Sequence, residues 1–163
     1  FHLAKSNIIT TSKDKTIRLW DVKTMEEVYE FSSPFDQPLS LSAHPTEPIF
    51  ACGFESGKMR IFDIDTTEVT DEFSQFKKPL KALSYDNAGR YLVTCAEDGA
   101  VSIHNATRQH LPIKMMHLEM PPEFVSVAFT KRVGGQVDSR QMFAVMGEHG
   151  NNVILYDTDS FTI

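Results

Sequence analysis

A chain of 163 residues with 41% apolar and 23% charged side chains is long enough for an ordinary globular domain and too apolar for a disordered one. Its 22 acidic against 16 basic residues give a net charge of −6, which argues against a nucleic-acid groove and favours plain solubility. Apolar runs such as MFAVMG are far too short to cross a bilayer as a helix. No secretory signal is visible. Phe1 opens in strand-like sequence and DSFTI closes in mid-pattern, so both ends are expected to be cuts in something longer.

In chain order the first elements are IITTS, the turn KDK, and TIRLWD, which alternates large apolar with polar residues and stops at Trp20-Asp21. The segment VKTMEEVYEF can be drawn as a short helix, but its turn signals and its later counterpart DTTEVTDEF favour a strand. Next come PLSLSAH, PTEP, IFACGF, ESG and KMRIFD, then PLKALSY, DNAG, RYLVTCA, EDG and AVSIHN. The last set reads EFVSVAF, a long TKRVGGQVDSR, QMFAVMG, EHG and NNVILYD.

The cadence is a repeat. From Trp20 to Phe62 to His104 each step is 42 residues, and from His104 to Tyr156 it is 52, the excess falling between Phe129 and Met142, where a loop belongs. Gly57 and Gly99 stand five residues before Phe62 and His104, Gly150 lies one residue further out, and Lys15 holds the glycine position of the first unit. Such glycines supply the positive φ of a tight hairpin turn. Runs of five to seven β-formers bounded by Gly, Pro, Asp and Asn make each unit a four-stranded antiparallel meander, and meanders that cannot bury both faces alone stack radially as a β-propeller. The expected class is therefore all-β, with a partial blade at 1–31, blades at 32–74 and 75–117, and a blade at 118–163 with an insertion at 130–141. The strands LSLSAH, LKALSY and VSVAF would line the central channel. Polar strands of the VTDEFS type would guard the outer edge.

On this plan the bulky residue closing the third strand wedges between blades, and the acid after it caps the next turn. Trp20, Phe62 and Tyr156 take the first duty; Asp21, Asp63 and Asp157 take the second. TIRLWDVKT with its period resembles the WD-repeat family, which folds as propellers, most often of seven blades. The family's Gly-His pair is replaced here by Ser33-Pro34 and Gln75-Phe76, and His104 stands for a tryptophan, so the tetrad of Trp, Ser or Thr, His and Asp is incomplete, although Thr94 keeps its place. A closer likeness, carried by SSPFDQPLSLSAHPTEPIFACGFESGKMRIFDIDTTEV, is to the large WD-repeat proteins of centrioles and cilia, the "proteome of centriole, sixteen" family. That resemblance implies a non-catalytic structural scaffold in the cytoskeleton, on the microtubule wall of a centriole, basal body or axoneme, with tubulin and other axonemal or centriolar proteins as partners. The alternative is a general WD-repeat interaction platform in a signalling, ubiquitin-ligase or RNA-processing complex.

Catalytic and ligand chemistry finds little support in the residues. The spacing of His104, His110 and His117 does not converge on a metal along a meander, and His44 before Pro45 reads as a local turn residue. RVGGQV lacks the lysine and helix of a phosphate loop, and no GxSxG elbow occurs. Cys52 and Cys95 lie in apolar runs, too few for a disulfide framework and suited to a reducing compartment. The sequon at Asn105 sits at a strand end, which argues against glycosylation. No enzyme, cofactor, metal, small-molecule substrate, nucleic acid or membrane is expected. Protein contacts are expected on the loop face that carries SSPFDQP, QFKKP, MPPEF and the glycine turns, through Phe35, Asp36, Lys77, Lys78, Glu97, Asp98, Glu148 and His149. MMHLEM is a methionine-rich stretch that suits either an adaptable surface or packing against the next blade.

Overall fold

The structure, a computed structural model, describes residues 7–118, 126–129, 142–146, 153–157 and 160. The chain runs β1 (Asn7–Thr11), β2 (Thr16–Asp21), β3 (Glu27–Ser32), β4 (Pro38–Ala43), β5 (Ile49–Phe54), β6 (Met59–Asp63), β7 (Val69–Phe73), β8 (Leu80–Tyr85), β9 (Tyr91–Ala96) and β10 (Ala100–Asn105). A 3-10 turn, Ala106–Arg108, precedes β11 (Leu111–His117), and β12 (Ser126–Phe129), β13 (Met142–Met146) and β14 (Val153–Asp157) follow. They form four antiparallel meanders, β1-β2-β3, β4-β5-β6-β7, β8-β9-β10-β11 and β12-β13-β14. Its described residues are all-β, and their antiparallel meanders have the form of partial propeller blades.

Local chemistry sets the turns. Gly57 and Gly99 take φ of 85° and 87°, and Lys15 adopts the same left-handed region at 69°. After each third strand a carboxylate or amide oxygen collects backbone N–H groups. Asp21 Oδ1 accepts from Lys23 and Thr24 at 2.7 and 3.0 Å, Asp63 Oδ1 from Asp65 and Thr66 at 2.7 and 2.8 Å, and Asn105 Oδ1 from Thr107 at 3.0 Å. Four residues on, Met25, Thr67 and Gln109 each turn the chain through positive φ. The pairing of third with fourth strand slips once in each of the first three meanders, after Leu19, Ile61 and Ile103, so the bulge repeats with the sequence.

The core lies between the sheets. Strand alternation sends Leu19 and Ile17 to one face of β2, where they meet Phe50, Phe54 and Phe62 of the next meander. Met59 and Ile61, in the matching positions of β6, face Leu80, Leu83 and Leu92. Val101 and Ile103 of β10 continue the pattern against Tyr156. Burying each such side chain contributes about 1.5–3 kcal/mol. The bulky residue that ends the third strand therefore faces the meander before it in sequence. Phe62 and Tyr156 are buried there, whereas Trp20 faces away from the second meander and stays half-exposed, its indole N–H donating to Thr10 Oγ1 at 2.9 Å.

The innermost strands β4 and β8 run side by side. Ser40 Oγ donates to Leu80 O at 2.9 Å, and Tyr85 N donates to Ser42 Oγ at 3.1 Å. A Cβ added at Gly53 would come within 2.7 Å of Leu80 Cβ and of Ser40 Oγ, so this glycine permits the close approach. The outer strands β3 and β7 carry acids, as expected of guarded edges. β11, LPIKMMH, departs from that pattern: it is exposed along nearly its whole length and bears no carboxylate.

Candidate functional site

One face is assembled from the linkers that enter each new meander and from the glycine turns. The linker at 33–37 is tied on both sides. Ser33 N donates to Lys15 O at 3.0 Å and Lys15 Nζ to Pro34 O at 3.1 Å, which fixes it to the preceding turn. Asp36 accepts from Ser56 N at 3.0 Å and Ser56 Oγ at 2.5 Å, while Glu55 N donates to Gln37 O at 2.9 Å, which fixes it to the following turn. The linker at 74–79 repeats this. Its Phe76 and Lys78 carbonyls lean over Gly57, Glu97 N donates to Pro79 O at 2.9 Å, and Lys81 Nζ pairs with Glu97 Oε1 at 3.2 Å. Linkers and turns thus alternate in one continuous surface.

The residues expected on this face divide by occupation. Asp36 is committed to Ser56, and Asp98 Oδ1 accepts from Ala100 N at 3.1 Å, so both are half-buried turn builders. Glu97 is exposed and paired with Lys81. Phe35 is 98% exposed. Lys77 and Lys78 are exposed as well. Glu148 and His149 lie outside the described residues, as do the insertion at 130–141 and MPPEF up to Val125.

The seam beneath holds a polar cluster that the sequence does not announce. His104 is fully buried, with Nδ1–H donating to His110 O at 2.9 Å and Nε2 accepting from the Gln75 amide at 2.9 Å. A second proton on Nε2 would point at the Gln75 N–H, and burial already holds His104 below its usual pKa. Tyr85 Oη and His110 Nε2 share a hydrogen bond at 2.7 Å, with no described partner for the buried Nδ1. Burial lowers His110 to about 4, against the partly opposing pull of Asp71. His44 is buried too; its Nε2–H donates to Gly89 O at 2.9 Å across the seam, and its Nδ1 accepts from Glu47 N at 3.0 Å. His44 is therefore the local turn residue that its sequence setting suggests and also a contact between meanders. Gln75 occupies a place where the family has the Gly-His pair, and in the preceding linker Ser33 Oγ accepts from Arg60 Nη1 at 3.1 Å.

A pH dependence follows. The fold keeps His104 and His110 neutral while the unfolded chain takes up protons, so this seam is at full strength above pH 6.5. It weakens as pH falls, with the His110 share gone by about pH 4. The protection factors of β8 and β10 amides, which correct for the slower intrinsic exchange at lower pH, are expected to fall over that window, and the His110→Gln variant is expected to flatten the response. An equally steep response in that variant would remove His110 as its source.

Among the described residues no group of three or more His, Cys, Asp or Glu side chains is arranged to hold a metal ion, and no helix is long and apolar enough to cross a membrane. Cys52 and Cys95 are free and buried, and burial pushes both thiols well above their usual pKa, which leaves them poor nucleophiles.

A family model described as WD domain, G-beta repeat matches residues 1–21 and 68–105. The chain is 33% identical over 104 residues to WD repeat-containing protein 90 of Xenopus tropicalis, an alignment that covers 64% of this chain and 6% of that relative. It is 23% identical over 103 residues to Echinoderm microtubule-associated protein-like 2 of Rattus norvegicus, covering 63% of this chain and 16% of the relative. With Centriole proteome protein 16 of Chlamydomonas reinhardtii it shares 28% identity over 73 residues, 45% of this chain and 4% of the relative. The chain thus spans a small part of the length of these relatives.

Proposed function

We propose that the chain, matched in two stretches by the WD-repeat family model, is a non-catalytic protein-interaction scaffold whose linker face binds a partner on the microtubule wall of a centriole, basal body or axoneme. The observation that carries the reading is the clamped linker face, which holds Phe35 98% exposed on the same surface as the exposed Lys77 and Lys78. An exposed aromatic ring with nearby cations suits an acidic protein surface. The aromatic supplies apolar contact area, and the lysines steer encounter with opposite charge. Relatives named for microtubule association and for the centriole proteome support the choice of partner.

The test is made in the full-length protein. Charge reversal at both lysines, Lys77→Glu with Lys78→Glu, is expected to weaken co-sedimentation with microtubules about five- to tenfold at low salt and less at high salt, with unchanged thermal unfolding. Unchanged co-sedimentation would remove this face as the microtubule contact. The tagged protein is expected to mark centrioles or axonemes. A diffuse signal in ciliated cells would favour a general interaction platform instead.

A further inference from the structure

We propose that Lys15 and Phe35 form one subsite of the linker face, which takes a large apolar side chain and the carboxylate beside it from an extended, acidic segment of a partner protein. The inference rests on the linker face as a binding surface and adds which feature of the partner is read there.

Phe35 stands at the tip of a β-turn. Asp36 N donates to Ser33 O at 3.0 Å, which leaves Pro34 and Phe35 as the two central residues. Proline at the first of these presets φ for the turn. The turn is held from both sides, by Lys15 and by Ser56. The backbone beneath the ring is therefore ordered before a partner arrives, while the ring itself is 98% exposed. A phenylalanine side chain has few rotatable bonds, so engaging it sacrifices little freedom.

Lys15 supplies the charge. Its Nζ donates at 3.1 Å to Pro34 O, the carbonyl of the peptide that joins Pro34 to Phe35. An ammonium group has three donors, so this bond holds it in place and leaves donors for a ligand. Lys15 is exposed, and among the described residues it pairs with no carboxylate. The adjacent Asp14 is turned away, to Thr16 Oγ1 at 2.6 Å and Arg18 Nη1 at 3.0 Å. A cation without a counter-charge is thus fixed against the backbone that carries an exposed ring.

Order across the face selects the occupant. The turn of Lys15 is followed by the linker of Phe35, the turn of Gly57, and then the linker of Lys77 and Lys78. Lys77 and Lys78 also pair with no described carboxylate, whereas Lys58 is taken by Glu72 and Lys81 by Glu97. A segment that lays an apolar residue on Phe35 meets cations to either side. The matching pattern is acid, apolar, acid, with the acid next to the apolar residue reaching Lys15. A basic segment is repelled.

The backbone of Lys15 provides a clean variant. Its φ of 69° belongs to the region that Gly57 and Gly99 occupy in the next two meanders, so Lys15→Gly removes the ammonium and suits the turn. The probe is a fluorescein-labelled synthetic peptide with one leucine flanked on both sides by glutamates, titrated against the full-length protein by fluorescence anisotropy. It is expected to bind, and more weakly as salt is raised. Lys15→Gly is expected to weaken binding about five- to tenfold at low salt and to flatten the salt dependence, with β1 and β2 amides exchanging no faster than in the parent. Lys15→Arg, which keeps the charge, is expected to bind as the parent does. Phe35→Ala is expected to weaken the leucine peptide about tenfold and to leave nearly unaffected a peptide with alanine in place of leucine.

Absence of peptide binding, or parent-like binding by Lys15→Gly, would overturn the proposal. So would a loss equal at low and high salt, which would make Lys15 only a tether of the linker. The peptide assay does not depend on microtubules. Parent-like peptide binding by Lys15→Gly, beside weakened co-sedimentation of the Lys77 and Lys78 variant, would remove the subsite and leave the microtubule reading standing. The opposite pair of results would keep the subsite and remove the microtubule.

Discussion

Replacing Phe62 with alanine is expected to lower the local stability of the first seam by about 3–5 kcal/mol. Phe62 is 3% exposed and stacks on Phe50 with ring centroids 4.8 Å apart and planes inclined by 4°. Phe31, from the neighbouring meander, meets Phe62 edge-on at 5.1 Å and Phe50 at 5.7 Å. Truncation removes the ring's own burial and opens a cavity beneath Phe31, at a place where β5 and β6 are already paired and have little freedom to collapse. The readout is hydrogen exchange of the slow amides of β5 and β6 in the full-length protein. Phe35→Ala, on a ring that is 98% exposed, is the matched control and is expected to change those rates by less than about 0.5 kcal/mol. Comparable losses from the two variants would mean that the three-ring contact does not hold the seam.

Gly57→Ala is expected to cost about 3 kcal/mol or more, from two sources. Its φ of 85° is disfavoured for any residue with a Cβ. The new Cβ would also lie 2.5 Å from Phe76 O and 2.8 Å from Lys78 O, which are backbone atoms and not the ends of flexible side chains. Lys15 shows that the turn geometry alone tolerates a side chain, at φ 69°, so the close carbonyls distinguish the two positions. The expected signature is faster exchange across 76–79 together with weaker microtubule co-sedimentation, because the same movement displaces Lys77 and Lys78. Stability within about 0.5 kcal/mol of the parent would contradict the close approach.

The parts legible in the sequence are those set by neighbours a few residues away. Strand alternation, the glycine turns and the Asp21, Asp63 and Asn105 turns all follow from short-range chemistry, and they repeat, which multiplies a weak signal. Even the substitution of Lys15 for glycine is readable, since the turn needs positive φ whatever residue stands there. The seam contacts are different. Gln75 with His104, Ser33 with Arg60, and His44 with Gly89 join residues that meet only when two blades dock. In the sequence Gln75 registers only as a missing histidine, and the bond it makes to His104 depends on which ring nitrogen is free. His44 beside Pro45 shows its turn chemistry in the sequence, but not its second bond, because the Gly89 carbonyl is 45 residues away. The exposed line of Phe35, Lys77 and Lys78 was legible as loop composition. That Asp36 and Asp98 belong to the turns themselves required the geometry.

The linkers are anchored at both ends, and this has a mechanical meaning. A force applied at Phe35 would not peel one hairpin open bond by bond. The load passes through Ser33 and Pro34 into one blade and through Asp36 and Gln37 into the next, so several hydrogen bonds resist together in shear. Such an attachment is suited to tension.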